Sequence, residues 1–231
     1  MFLYQKMKRK KSKIFFVSGT DTGIGKTLIS SILVSKISGS YWKPIQCGKN
    51  YFGQTDANIV KNLSSGLKYI YSEKYIFNDP LSPNIASKNS KTSIRKSKLF
   101  FDLKKIEDDL IIEGAGGLMV PITNNYLMID YIKDLSVPLI LVSSTKLGTI
   151  NHTLLSLESI KKRNIFLKGI VFNGHENPEV ISTIKNFAKK IFKDKINVLG
   201  HIPLLKRINK NIIRKNLDRI KLLMKKKKFL N

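Results

Sequence analysis

The segment Ser18-Gly19-Thr20-Asp21-Thr22-Gly23-Ile24-Gly25-Lys26-Thr27 constrains the fold more than any other part of the chain. It follows an apolar run, Ile14-Phe15-Phe16-Val17, and precedes Leu28-Ile29-Ser30-Ser31-Ile32-Leu33-Val34. The order is strand, glycine-rich loop, helix. Backbone N–H groups in such a loop, together with the helix N-terminus, cradle a polyphosphate. Gly23, Ile24 and Gly25 then supply backbone, Lys26 reaches the terminal phosphates, and the Thr27 hydroxyl becomes a ligand for Mg²⁺. Five residues separate Gly19 from Gly25, one more than in the simple form of this motif.

Further along, short apolar runs alternate with helix-patterned stretches. Strands are expected at residues 14–18, 41–45, 110–112, 138–142, 169–172 and 198–202. Helices are expected over 26–37, 56–63, 93–108, 149–162 and 211–224. Residues 46–55 read as a polar loop, and Glu113-Gly114-Ala115-Gly116-Gly117 as a tight loop after a strand. This alternation predicts an α/β fold with a mostly parallel sheet and helices on both faces, and the glycine-rich loop at 18–27 makes it a single-domain, three-layer phosphate-loop NTPase. Residues 1–12 are expected to form a basic tail and 13–231 one nucleotide-binding domain. Ligands of such sheets bind beyond the C-terminal ends of the strands. Gly19 to Thr27, Lys43, Glu113 and Asn173 all fall there.

Several side chains could carry chemistry. Glu113, at a strand's end before glycines, stands where an acidic Mg²⁺ ligand is wanted. Asp56 follows a polar loop; Thr55 or Asp56 would cap the helix that starts there, and Asp56 could serve both as a cap and at the site. Asp21, beside expected phosphates, hints at a metal or a cationic substrate. Lys43 lies in a mostly apolar segment and offers a second cation where charge develops at a reacting group. Cys47 has no histidine in a pairing position, because His152, His175 and His201 are scattered, so it reads as a packing residue. No Cys/His spacing suits zinc. A single cysteine fits a reducing compartment, no apolar stretch approaches the length that spans a bilayer, and a cytoplasmic protein is expected.

Taken together, these segments resemble the dethiobiotin synthetases, ATP-dependent enzymes of biotin synthesis. The resemblance rests on residues 19–27, on Trp-Lys-Pro-Ile-Gln-Cys-Gly at 42–48, and on Asp56. It continues through Pro-Leu-Ser-Pro at 80–83, Glu-Gly-Ala-Gly-Gly at 113–117, Lys-Leu-Gly-Thr-Ile-Asn-His at 146–152, Asn173, and Gly-His-Ile-Pro at 200–203. The longer phosphate loop belongs to that family's pattern. The resemblance implies carboxylation and ring closure of 7,8-diaminononanoate with CO₂ and ATP, through a carbamate and then a carbamic–phosphoric anhydride. It implies Lys26, Lys43 and Thr22 at the reacting groups, and Thr27, Asp56 and Glu113 on Mg²⁺. Asn173 would read adenine, with Pro203 lining that pocket. It also implies a homodimer, in which the diamine carboxylate reaches the segment from Gly148 to Asn151 of the second copy. Cys47 stands where that family usually has Ser or Thr, and a thiol hydrogen-bonds a substrate more weakly.

The alternative is a partition or cell-division ATPase of the same superfamily, acting on DNA or membrane. A net charge of +26, from 42 Lys and Arg against 16 Asp and Glu, suits it. The basic residues are dispersed, however, with clusters only near 8–11 and 225–228, and no aromatic-interleaved basic stripe appears. That pattern predicts loose polyanion affinity without a specific nucleic-acid or membrane partner.

Overall fold

A computed structural model describes residues 12–194 and 196–222. In the first half of the chain lie β1 (Ile14–Gly19), α1 (Lys26–Ile37), β2 (Ser40–Trp42), β3 (Ile45–Cys47), α2 (Asp56–Leu63), β4 (Ile70–Tyr71), β5 (Tyr75–Phe77) and α3 (Pro83–Asn89). In the second half lie β6 (Leu110–Gly117), β7 (Pro121–Thr123), β8 (Tyr126–Leu127), α4 (Met128–Leu135), β9 (Leu139–Ser144), α5 (Thr149–Lys162), β10 (Leu167–Asn173), α6 (Pro178–Phe192), β11 (Val198–Ile202) and α7 (Lys210–Lys215). Seven strands form one sheet in the order β11-β10-β9-β1-β6-β2-β4, and every pairing in it is parallel.

The continuous apolar strands follow from burial on both faces. Along β1, Phe16 joins one core while Phe15 and Val17 join the other. In β9, Leu139 and Leu141 face α4, α5 and α6, whereas Ile140 and Val142 face the side of α1, α2 and α7. Each such fully buried aliphatic side chain contributes about 1.5–3 kcal/mol relative to exposure. The result is the expected three-layer α/β architecture. Among the described residues, no helix is long and apolar enough to cross a membrane.

Register positions the site. Val17 pairs with Glu113, and Trp42 pairs with Ile112, so Lys43 leaves β2 beside Glu113 of β6. Asn173 pairs with Ser144 on one side and Ile202 on the other, which sets it near the phosphate loop's flank.

Several expectations need correction. Residues 41–45 are not one strand, because Pro44 has no N–H to donate to a ladder. β2 stops at Trp42, and β3 starts a separate two-stranded sheet with β5. The strand before Glu113 does not end there. β6 runs on to Gly117, and Gly117 pairs with Gly19. Residues 93–108 do not form a helix but two short 3₁₀ turns, Lys96–Leu99 and Leu103–Lys105. Leu99 is fully buried, Phe100 packs edge-on against Tyr131 at 5.3 Å, and Phe101 against Trp42 at 4.4 Å. Three consecutive side chains turned toward the core cannot share one helix face. α7 ends at Lys215 rather than continuing, because Ile220 bridges Gly200 of β11 after a 3₁₀ turn. The end of that expected helix at 223–224 lies outside the described residues. So does the expected basic tail, apart from Ser12, whose hydroxyl donates to the Ile106 carbonyl at 2.7 Å. α3, α4 and α6 lie where no element was expected.

Candidate active site

The loop between β1 and α1 has the geometry of an anion cradle. Gly25 caps α1 in the left-handed region at φ 97°, and no side chain caps the helix. The N–H groups of its first turn are therefore free to receive an anion, favoured further by the helix dipole. A Cβ at Gly25 would stand 2.3 Å from Asn173 Nδ2, and one at Gly19 would stand 2.5 Å from Ile24 Cγ2. The loop is thus tight enough to exclude side chains at both positions. Asn173 clips it from the flank by donating to the Ile24 carbonyl at 3.0 Å. Asp21 turns its carboxylate onto the Thr22 N–H at 2.6 Å, and its carbonyl accepts from Lys26 Nζ at 3.2 Å.

In front of the loop is a cavity of about 440 Å³. Thr22, Gly23, Gly25, Lys26, Thr27, Lys43, Cys47, Asp56 and Glu113 all line it. Nine residues singled out in the sequence thus converge on one volume. Of the other residues expected here, Ile24 lies within the loop, Asn173 flanks it, Pro203 follows Ile202, the strand partner of Asn173, and Gly148 and Asn151 stand at the start of α5 and do not line the cavity.

At the centre is a buried charge cluster. The Lys43 ammonium contacts the Asp56 carboxylate and lies 3.1 Å from Glu113 Oε1. That oxygen also accepts from the Thr27 hydroxyl at 2.9 Å, and Oε2 accepts from the Tyr41 hydroxyl at 2.9 Å. Glu113 has no exposed surface, and these partners satisfy its buried oxygens. Burial alone would lower the Lys43 pKa, but the Glu113 and Asp56 charges outweigh it and hold the ammonium above its usual value. Burial likewise would raise Asp56, but Lys43, together with hydrogen bonds from Lys43 and Thr27, keeps it below the ordinary range. Lys26 is brought down to about 8 by burial and by the nearby Lys43 charge. An incoming polyanion would relieve that repulsion, so the two lysines are poised for phosphate-like charge.

Asp56 is positioned by local chemistry. Thr55, not Asp56, caps α2: its hydroxyl accepts from the Asn58 N–H, and Asn58 Oδ1 accepts in return from the Thr55 N–H. The Asp56 N–H donates to Gln46 Oε1 at 3.2 Å, while Gln46 Nε2 donates to the Gly48 carbonyl at 2.7 Å. Asp56 is thereby free to aim its carboxylate at Lys43. The Thr27 hydroxyl and the two carboxylates make a set of hard oxygen donors at the phosphate end of the cavity, and that set fits Mg²⁺.

Tyr41 and Gln46 were missed in the sequence. Tyr41 lay in a mostly apolar segment expected to be a strand, although a buried tyrosine hydroxyl ordinarily requires a partner. Cys47 is half-buried, and burial pushes its thiol up to about 11. Alkylation at pH 8 should therefore run about 100-fold slower in the folded protein than in the denatured chain, since it follows the thiolate fraction. Mass spectrometry of iodoacetamide-treated samples measures both rates.

A family model described as an AAA domain matches residues 13–211. An ATP-dependent dethiobiotin synthetase from Lawsonia intracellularis is 38% identical over 200 residues, covering 87% of this chain and 92% of that protein. One from Afipia carboxidovorans is 46% identical over 165 residues, covering 71% and 77%. Among solved structures, a putative plasmid partition protein from Borrelia burgdorferi bound to AMPPNP superposes with a TM-score of 0.55 at 16% identity, covering 90% of this chain and 97% of that one. At that identity the likeness is one of fold.

Proposed function

The chain belongs to the ATP-dependent dethiobiotin synthetase family, and on that premise we propose that it joins CO₂ to 7,8-diaminononanoate with ATP, giving dethiobiotin, ADP and phosphate. The observation that carries the reading is the pair Lys26 and Lys43, both lining one cavity with the phosphate loop. A carbamate and a γ-phosphate repel each other, and two ammonium groups between them offset that repulsion.

The steps balance on these residues. One substrate amine adds to CO₂, loses a proton to water and becomes a carbamate. A carbamate oxygen attacks the γ-phosphorus, the bond to ADP breaks, and a mixed carbamic–phosphoric anhydride forms. The second amine then attacks the carbonyl carbon, phosphate leaves with the carbamate oxygen, and the amine's proton passes to the departing phosphate or to water. Lys26 and the loop N–H groups hold the phosphates, Lys43 faces the carbamate, and Thr22 orients the reacting oxygens. Bound by Thr27, Asp56 and Glu113, Mg²⁺ would neutralise charge developing on the phosphate oxygens. Such a transfer depends mainly on positioning and charge, so no separate base is needed. Asn173 and Pro203 would receive the adenine.

The reading extends to a cytoplasmic homodimer of single-domain subunits, with residues 1–12 as a tail. It takes small-molecule substrates and no specific nucleic acid or membrane partner. Gly148 and Asn151 of a second copy would bind the diamine's carboxylate. Gly148 stands at φ 87° at the start of α5 with no side-chain cap, which suits an anion there. The test is the mass of the product made from the diamine, bicarbonate, Mg²⁺ and ATP. The cyclic urea is expected. ATP hydrolysis that responds only to DNA or lipid would contradict the reading.

A further inference from the structure

The two oxygens of Glu113 are held differently. Oε1 lies with Thr27 and Lys43, at 2.9 and 3.1 Å, on the side of the cavity both residues line. Oε2 accepts from the Tyr41 hydroxyl at 2.9 Å. Tyr41 does not line the cavity and has no exposed surface. Its backbone pairs with Ile111 of β6 and Ile70 of β4, and its ring packs in the core that includes Ile29, Ala57 and Val60. The hydroxyl is fixed from behind by packing and has a carboxylate oxygen as its acceptor.

This arrangement bears on which cation the site prefers. Mg²⁺ demands compact octahedral geometry and usually takes single oxygens from carboxylates. Ca²⁺ accepts six to eight ligands and often takes both oxygens of one carboxylate. A cation that claimed Oε2 of Glu113 would compete with the Tyr41 hydroxyl for that oxygen's charge, and displacing the hydroxyl would leave a buried group without its acceptor. We propose that Tyr41 is a positioning residue that keeps Glu113 a one-oxygen ligand and thereby sets the preference of the site for Mg²⁺ over Ca²⁺. The inference rests on Thr27, Asp56 and Glu113 being the metal-holding set. It concerns a residue outside the cavity that does not touch substrate.

The test uses the full-length protein and a fluorescent ATP analogue, titrated in Mg²⁺, in Ca²⁺ and in chelator. The wild type should bind the analogue more tightly with Mg²⁺ than with Ca²⁺. Tyr41→Phe keeps the ring and removes the hydroxyl. It should lower the Mg²⁺-to-Ca²⁺ affinity ratio roughly tenfold, the worth of one hydrogen bond to a charged group, and leave the affinity in chelator unchanged. Tyr41→Leu, with a different residual shape, is a second variant and should lower the ratio in the same direction. A ratio of affinities does not depend on the fraction of protein that folds, so a reduced yield does not blur it. An unchanged ratio in both variants, with a metal-dependent wild type, overturns this inference alone. An equal loss of affinity in chelator and in both metals assigns Tyr41 a purely structural role and also overturns it. Wild-type binding indifferent to either cation overturns the metal-holding set and this inference with it. None of these outcomes depends on whether dethiobiotin is the product.

Discussion

Lys43→Ala should lower turnover by about 10²–10³-fold, the effect of deleting one preorganised charge at a reacting centre, while ATP still binds through the loop and Lys26. The split follows from position. Lys26 belongs to the loop and α1, whereas Lys43 follows β2 and is linked to Thr27 through Glu113. The same substitution strips a cation from two carboxylates, one of them wholly buried. Removing one partner of a buried ion pair costs about 3–5 kcal/mol, and the part-exposed Asp56 places this case at the lower end. The variant should therefore also melt earlier without Mg²⁺, and added Mg²⁺ with nucleotide should recover part of the loss by binding only the folded state. Product formation and nucleotide binding measured on the same samples check the split. Unchanged turnover would remove Lys43 from the reaction.

Gly25→Ala should weaken ATP binding by roughly 30–150-fold. A left-handed φ of 97° costs a non-glycine residue about 1–2 kcal/mol. The new Cβ would also stand 2.3 Å from Asn173 Nδ2, so the hydrogen bond from Asn173 to Ile24 must give way at about 1 kcal/mol more. Because that bond ties the loop to the end of β10, the loop and the Asn173 flank shift together. Calorimetric titration with ATP reads the change. An affinity within threefold of wild type would show that the loop does not hold the phosphates in this conformation.

Much of the site could be read from the sequence because its chemistry is local. A phosphate loop writes its strand, its glycines and its helix into one contiguous stretch, and α1 occupies the expected residues 26–37. α2 and α5 were legible for similar reasons, with Thr55 as a cap ahead of one and Gly148 ahead of the other. α4 begins after Leu127, which has no capping oxygen of its own, and it is only eight residues long, so its start carried no signal. α6 did carry one, an Asn177 cap followed by Pro178, but its lysine-rich face hid the apolar stripe centred on Ile184 and Ala188. The stretch 93–108 misled through tertiary packing, since Leu99, Phe100 and Phe101 serve three different neighbours. Tyr41 was invisible as a site residue because its partner, Glu113, lies 72 positions away and meets it only through parallel pairing of β2 with β6.

The fold alone leaves both nucleotide-dependent readings open, since the partition protein has the same architecture at 16% identity. What separates them is the Lys43 side of the cavity and relatives at 38–46% identity along most of the chain. The central claim is that a carbamate oxygen attacks ATP in the space between Lys26 and Lys43. It is tested by supplying CO₂ labelled with ¹⁸O in unlabelled water, quenching early, and weighing the released phosphate. Labelled phosphate formed together with dethiobiotin is the predicted result. Phosphate that takes its new oxygen from the solvent, with none from CO₂, would contradict it.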